Sequence, residues 1–359
     1  TASSGIPEDH VTRVLREDPD RQGLLYGGTE YGMFISFDDG ANWKKFQQNL
    51  PITPVTDIVL FRGDLILSTM GRGFWILDDI AALQDEHITK LGDAPVLFTP
   101  GNTMRYHTPR WGSDYPHYPG TSVTLDYYLP KDFKKEGVSL EVLSVDGREI
   151  TKIVSDSTLL KSATEKVDDM SLSITFVYID NKLPTKKGLN RFQWDMQQKG
   201  AWDKNENRRF KNGPIVPPGK YIARLTAGDT TLEKPFEIVV DPRLEEEGVT
   251  LANIAAQQQL QFKVIDLLSQ ARMLQDQVEQ KIEELEKSKG NAAQLEQLQL
   301  ALKKLKNDEG AYPANVMVSQ ISYLNTILGG ADKQPGQEEV NRYQELLKQF
   351  NALKQEVKL

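Results

Sequence analysis

Three patterns of apolar and polar positions follow one another along this chain. Between residues 11 and 77, apolar runs at 11–15, 24–28, 33–37, 56–61, 65–69 and 74–77 are separated by segments rich in Gly, Asp, Asn and Pro. Short β-prone runs bounded by turn formers predict strands of about five residues. Between residues 123 and 240, apolar side chains recur at every second position: Val123, Leu125 and Tyr127; Leu140 and Val142; Leu172, Ile174 and Phe176; Phe192 and Trp194; Tyr221, Ala223 and Leu225; Phe236, Ile238 and Val240. That is the period of half-buried strands. About seven such strands without intervening helices predict an immunoglobulin- or fibronectin-III-like β-sandwich over 121–243.

Beyond Asp241-Pro242-Arg243 the spacing changes to three and four. Leu260, Val264, Leu267, Ala271, Leu274, Val278 and Leu285 form one stripe, with Ile282 beside it. Leu295, Leu298, Leu302 and Leu305 follow the Gly290-Asn291 break, and Met317, Ile321, Leu324 and Leu328 follow Pro313. Tyr343, Leu346, Phe350, Leu353 and Val357 follow Pro335-Gly336. Four amphipathic stripes divided by helix breakers predict an antiparallel four-helix bundle over 244–359.

The first pattern is also an internal repeat with an offset of forty residues. Leu24-Leu25-Tyr26-Gly27-Gly28-Thr29 aligns with Asp64-Leu65-Ile66-Leu67-Ser68-Thr69, Phe34 with Phe74, and Asp38-Asp39 with Asp78-Asp79. A period near forty with three or four short strands per unit predicts β-propeller blades over 1–82. Two units do not close a ring, and the second stops after three strands. Further blades are therefore expected from a missing N-terminal propeller segment, in the same or a separate chain, to cover the sheet faces and edges.

The first unit contains Ser36-Phe37-Asp38-Asp39-Gly40-Ala41-Asn42-Trp43, which fits Ser-x-Asp-x-Gly-x-x-Trp. Asp38 is expected to accept backbone N–H groups in a tight turn, Gly40 to take a positive φ, and Trp43 to pack beneath the turn. This motif resembles the Asp-box of BNR-repeat propellers, found in sialidases, other glycoside hydrolases and sortilin-type receptors. The stretches Val11-Thr12-Arg13-Val14-Leu15-Arg16-Glu17-Asp18-Pro19 and Gly71-Arg72-Gly73-Phe74-Trp75-Ile76-Leu77-Asp78-Asp79 resemble the last blades of bacterial secreted proteins with sortilin-like BNR repeats, labelled glycosyl hydrolases. Gly188-Leu189-Asn190-Arg191-Phe192-Gln193-Trp194-Asp195 and Pro218-Gly219-Lys220-Tyr221 resemble the β-sandwich modules that follow such propellers. The resemblance implies a secreted, periplasmic or cell-surface location in a bacterium. It also implies that Ser36, Asp38, Gly40 and Trp43 are structural. Sialidases of that superfamily draw their catalytic groups from several blades, so these residues alone supply no complete set.

Candidate chemistry is sparse. Glu30 and Tyr31 lie between two predicted strands, and Arg72 lies in the second unit; a carboxylate, an aromatic ring and a guanidinium suit contact with a sugar or an anionic group. Residues 83–120, rich in Pro, Gly, Tyr and His, are expected to form an irregular linker. Its Trp111 and Tyr115 suit either stacking on a sugar or filling a domain junction. A net charge of −8 offers no phosphate-binding surface, so nucleic acid is not expected as a partner. The absence of cysteine excludes disulfides and thiol chemistry. His107, Asp114 and His117 lie close in sequence without a defined ligand geometry, so no metal is expected. No phosphate loop or dinucleotide fingerprint is present, and no cofactor is expected. The leading expectation is a non-catalytic C-terminal scaffold of a propeller protein that recognises a glycan or a protein partner. The alternatives are one wall of a glycoside hydrolase cleft completed by other blades, and a sortilin-like peptide receptor.

Overall fold

The computed structural model describes residues 3–107, 121–133, 137–154, 177–179, 183–198, 200–204, 213–288, 290–306 and 316–357. It is a multidomain fold of several β-sheets followed by a cluster of packed helices.

The short apolar runs near the N-terminus form two antiparallel sheets. The first contains β1 (Thr12–Glu17), β2 (Leu25–Thr29), β3 (Gly32–Ser36) and β4 (Lys44–Lys45) in that order, and the second β5 (Val55–Phe61), β6 (Asp64–Thr69) and β7 (Phe74–Leu77). Arg62 and Gly63 join β5 to β6 with φ of 53° and 84°, the signs that a two-residue hairpin turn needs to follow strand twist. The forty-residue repeat is written into the backbone. Gly23 and Gly63 both have positive φ, as do Asp39 and Asp79.

The two sheets meet face to face around Leu24, Tyr26, Ile58 and Leu65, all buried. Gly28 makes the close approach possible. A Cβ there would lie 2.6 Å from Val14 Cγ1 and 2.8 Å from Val55 Cγ1.

Of the irregular linker expected over 83–120, the described part, 83–107, departs from that expectation. After α1 (Ala81–Gln84) and a 3₁₀ turn over Glu86–Thr89, β8 (Val96–Leu97) and β9 (Thr103–Arg105) join the two sheets of the next domain. Strands of two and three residues are too short to carry a period, and they form because they add to the edge of a sheet already made.

That domain contains β10 (Val123–Leu129), β11 (Val138–Ser144), β12 (Glu149–Val154), β13 (Val177–Ile179), β14 (Gly188–Trp194), β15 (Gly219–Ala227) and β16 (Thr230–Val240). One sheet runs β14-β10-β8 and the other β13-β12-β11-β15-β16-β9. The alternating residues predicted to share faces do so: Val123, Leu125, Tyr127, Leu140, Val142, Phe192, Trp194, Tyr221, Ala223 and Leu225 lie in a single buried core closed by both sheets. Leu172, Ile174 and Phe176 fall outside the described residues.

Asp241 caps α2 (Pro242–Glu246), accepting the Arg243 N–H, with Pro242 at the first helical position, where its missing N–H costs nothing. The helices α3 (Leu251–Ser288), α4 (Ala292–Leu305), α5 (Met317–Leu328) and α6 (Gln337–Glu356) pack around one core. The predicted stripe residues Val264, Ala271, Val278, Leu298, Leu305, Ile321, Leu328, Leu346 and Phe350 are all within it. Ala201 from the preceding domain also enters this core, and Trp202 donates its N–H to Ser269 Oγ at 3.0 Å. Among the described residues no helix is long and apolar enough to cross a membrane.

Candidate functional site

The turn after β3 is built around Ser36 and Asp38. Buried Ser36 donates its hydroxyl to Asp38 Oδ1 at 2.8 Å and accepts the Gly40 N–H at 3.0 Å. Asp38 Oδ1 accepts the Asn42 N–H, and Oδ2 the Asn42 side-chain amide, both at 2.8 Å. Those bonds from Asn42, followed by the one from Ser36, hold the Asp38 carboxyl below its ordinary pKa. Gly40 has φ of 81°. Trp43 is buried, its ring lies against Gly27, and its N–H donates to Ser4 O at 2.7 Å. The Ser36 hydroxyl and the Asp38 carboxylate are thus bonded within their own loop, an arrangement that serves stability more than substrate contact.

The described ligand-contact candidates stand in two hairpin loops, Glu30 and Tyr31 between β2 and β3 and Arg72 between β6 and β7. Glu30 pairs with Arg13 at 2.7 Å, and the Tyr31 ring lies against that of His10, tilted by 37° with centroids 4.7 Å apart. Arg72 is exposed in the β6–β7 hairpin, where its carbonyl accepts the Trp75 indole N–H. Asp57 pairs with Arg16 at 2.7 Å. Trp111 and Tyr115 lie outside the described residues, as do Asp114 and His117. The second-unit loop serves as a dock. Arg191 donates to the carbonyls of Asp78 and Asp79 at 2.7 and 2.6 Å while also binding the Asp126 carboxylate.

Two surface features stand out. The first is the outward face of the second sheet. The register places Val59, Ile66 and Ile76 in one row across β5, β6 and β7, with Phe61 and Phe74 on the same face. Phe74 is 79 % exposed, Ile76 58 %, Phe61 57 % and Val59 48 %. The opposite face of this sheet packs on the first sheet through Ile58, Leu65 and Leu67. A contiguous apolar face of this kind marks a contact surface.

The second is a cleft of about 440 Å³ between β9, α3 and α5. Arg105, at the end of β9, is buried and ion-paired with Asp332 from the α5–α6 loop, whose carboxylate is only 1 % exposed. Arg105 Nη1 also donates to Val216 O, and His107 Nε2 lies 3.1 Å from Asp332 Oδ1. Burial raises the Asp332 pKa, but the His107 hydrogen bond and the Arg105 charge outweigh it and leave the carboxyl below its ordinary value. Gln257, Gln261, Leu268 and Arg272 line the cleft from one face of α3, at steps of four, seven and four. Gln257 ties α3 to the end of α5 by donating to the carbonyls of Leu328 and Ala331.

Sequence reasoning missed Arg105, Asp332, Gln257 and Gln261. Only the two glutamines left a signal, since both continue the apolar stripe of α3 toward its N-terminus through Ile254.

No protein-family model matches this chain, and no curated protein matches it. Among solved structures, the extracellular domain of a hybrid two-component system from B. thetaiotaomicron is 10 % identical, with 66 % of this chain and 26 % of that one covered and a TM-score of 0.17. A Salmonella alpha-2-macroglobulin variant is 13 % identical over 64 % of this chain and 12 % of that one, with a TM-score of 0.19. The chain thus spans about a quarter and an eighth of those two structures. Superposition this poor carries no argument about fold or function.

Proposed function

We propose that this chain is the non-catalytic C-terminal scaffold of a bacterial extracytoplasmic Asp-box-repeat propeller protein, docking the propeller to a glycan or to a protein of the envelope. In this reading the two N-terminal sheets are blades, the following pair of sheets is an immunoglobulin-like spacer, and the four helices are a terminal bundle.

The observation that carries the reading is the uncovered face of the second sheet, with Val59, Phe61, Phe74 and Ile76 turned to solvent. The repeat supplies its own template for what covers it. The inner face of the same sheet is already closed by the sheet of the other forty-residue unit. The occupant is therefore a further blade, and burial of about 25 cal/mol per Å² of apolar surface drives its docking.

A single engineered cysteine tests this, since the chain has none of its own. Phe74→Cys is expected to react freely with a thiol reagent in this chain alone. In the protein translated from the complete reading frame it reacts at least tenfold more slowly. Equal reactivity in both, or a reading frame without further forty-residue units, removes the proposal. The docking role is checked by retention of the full protein on isolated cell-envelope polymers, and fails if nothing is retained.

A further inference from the structure

We propose that the cleft between β9, α3 and α5 binds a small, neutral, hydroxyl-rich ligand, a saccharide unit or a polyol. The inference concerns this cleft alone and does not depend on how the propeller is completed.

The cleft has a built, polar interior. Arg105 and Asp332 both line it, and each keeps one buried atom without a hydrogen-bond partner among the described residues: Arg105 Nε and Asp332 Oδ2. Their side chains are 6 % and 1 % exposed. An unpartnered polar atom at that depth costs about 1–3 kcal/mol, and both atoms belong to side chains on the cleft wall, so a ligand group that reaches them from the cleft relieves that cost. That group has a specific chemistry. Arginine Nε only donates and a carboxylate oxygen only accepts, whereas a hydroxyl both accepts and donates, so one hydroxyl or two adjacent ones answer both.

Charge excludes the obvious competitors. Arg105 is neutralised by Asp332, and Arg272, also on the wall, lies 3.6 Å from Asp203. Among the described wall residues each arginine has its carboxylate and His107 is bonded to Asp332 as well, so no charged group there stands without a partner for an anion or a cation to take. The rest of the wall combines amide and hydroxyl side chains, Gln261, Asn325 and Thr326 among them, with apolar ones such as Ile215 and Leu268. The amides and hydroxyls recognise a ligand's hydroxyls without a formal charge. A volume of about 440 Å³ lies within the usual range for small-ligand sites, about 300–1,000 Å³.

Thr326 provides a test that spares the core, because it is exposed on α5 and its hydroxyl only back-bonds to Ser322 O. Thr326→Trp places an indole in the mouth of the cleft. Saturation-transfer NMR is recorded on this chain with glucose and maltose as saccharide probes, sorbitol and inositol as polyol probes, and glutamate and phosphate as charged controls. Transfer to at least one neutral probe is expected, weakened tenfold or more in Thr326→Trp while the circular dichroism spectrum is unchanged. The saccharide and polyol arms then identify the source of the hydroxyls. Absence of transfer to every neutral probe overturns the inference, as does transfer that persists unchanged in the variant or binding of the charged controls alone.

Discussion

Two residues illustrate how differently a buried polar group is handled in this molecule. Ser36 is satisfied in both directions, donating to Asp38 and accepting from Gly40. Replacing it with alanine leaves the buried Gly40 N–H without that acceptor, a loss of about 1–3 kcal/mol. Ser36→Ala is therefore expected to destabilise the N-terminal sheets by about 1–2 kcal/mol, read in urea from the hydrogen-exchange protection of β2 and β3. Asp332 is the opposite case, a buried carboxylate held by charge. Its folded pKa lies below the ordinary unfolded value of about 3.9, so its contribution is fully present above that value and is lost as pH falls through the folded one. Asp332→Asn leaves Arg105 buried with an uncompensated charge, and a cost of about 3 kcal/mol is expected at pH 7. The difference between the two proteins shrinks toward zero as the pH falls through the lowered folded pKa of Asp332. A difference independent of pH would show that the charge on Asp332 contributes nothing.

At the scale of elements, the tightest constraint is the contact between the first two sheets. β2 presents Gly28 to Val14 and Val55 with no room for a Cβ. Gly28→Val is expected to force the sheets apart at a cost of about 1–3 kcal/mol, read as a lowered urea midpoint for the N-terminal sheets with the helical transition unchanged. This contact also separates what sequence reveals from what it hides. The strands around Tyr26, Ile58 and Leu65 were legible because short β-prone runs bounded by turn formers are a local pattern, and the stripes of α3 to α6 were legible because helical spacing is local too. The Asp38 turn was legible because all its partners lie within a few residues. β8 and β9 were not, because their pairing with β10 and β16 is decided by sheets distant in sequence. The Arg105–Asp332 pair was hidden most completely. Its members stand 227 residues apart, and each is an unremarked charge in a loop-like context. Gln257 and Gln261 mark the intermediate case, polar residues in an otherwise apolar register whose meaning needs α5 opposite them.

At the scale of the whole molecule, three separate apolar cores are joined by polar staples. Arg105 with Asp332, and Trp202 with Ser269, hold the central sheets to the helices. Arg191 holds the N-terminal sheets to the central ones, reaching from β14 to the carbonyls of Asp78 and Asp79 while Asp126 on β10 orients its guanidinium. Interfaces of this polar kind bind domains less firmly than a shared core does. An exposed ion pair alone contributes up to about 1 kcal/mol, but hydrogen bonds from a charged donor to two carbonyls add to it. Arg191→Ala is expected to remove about 1–2 kcal/mol from this junction alone. The loop after β7 then opens about tenfold more often, a factor that corresponds to about 1.4 kcal/mol. Hydrogen exchange measured peptide by peptide reads this directly. Amides of residues 79–82 should exchange about tenfold faster, while those of β10, β15 and α3 keep their protection. Equal acceleration in all three domains would mean that the cores unfold as one unit, and unchanged exchange at 79–82 would mean that the N-terminal sheets are held by apolar packing instead of by this arginine.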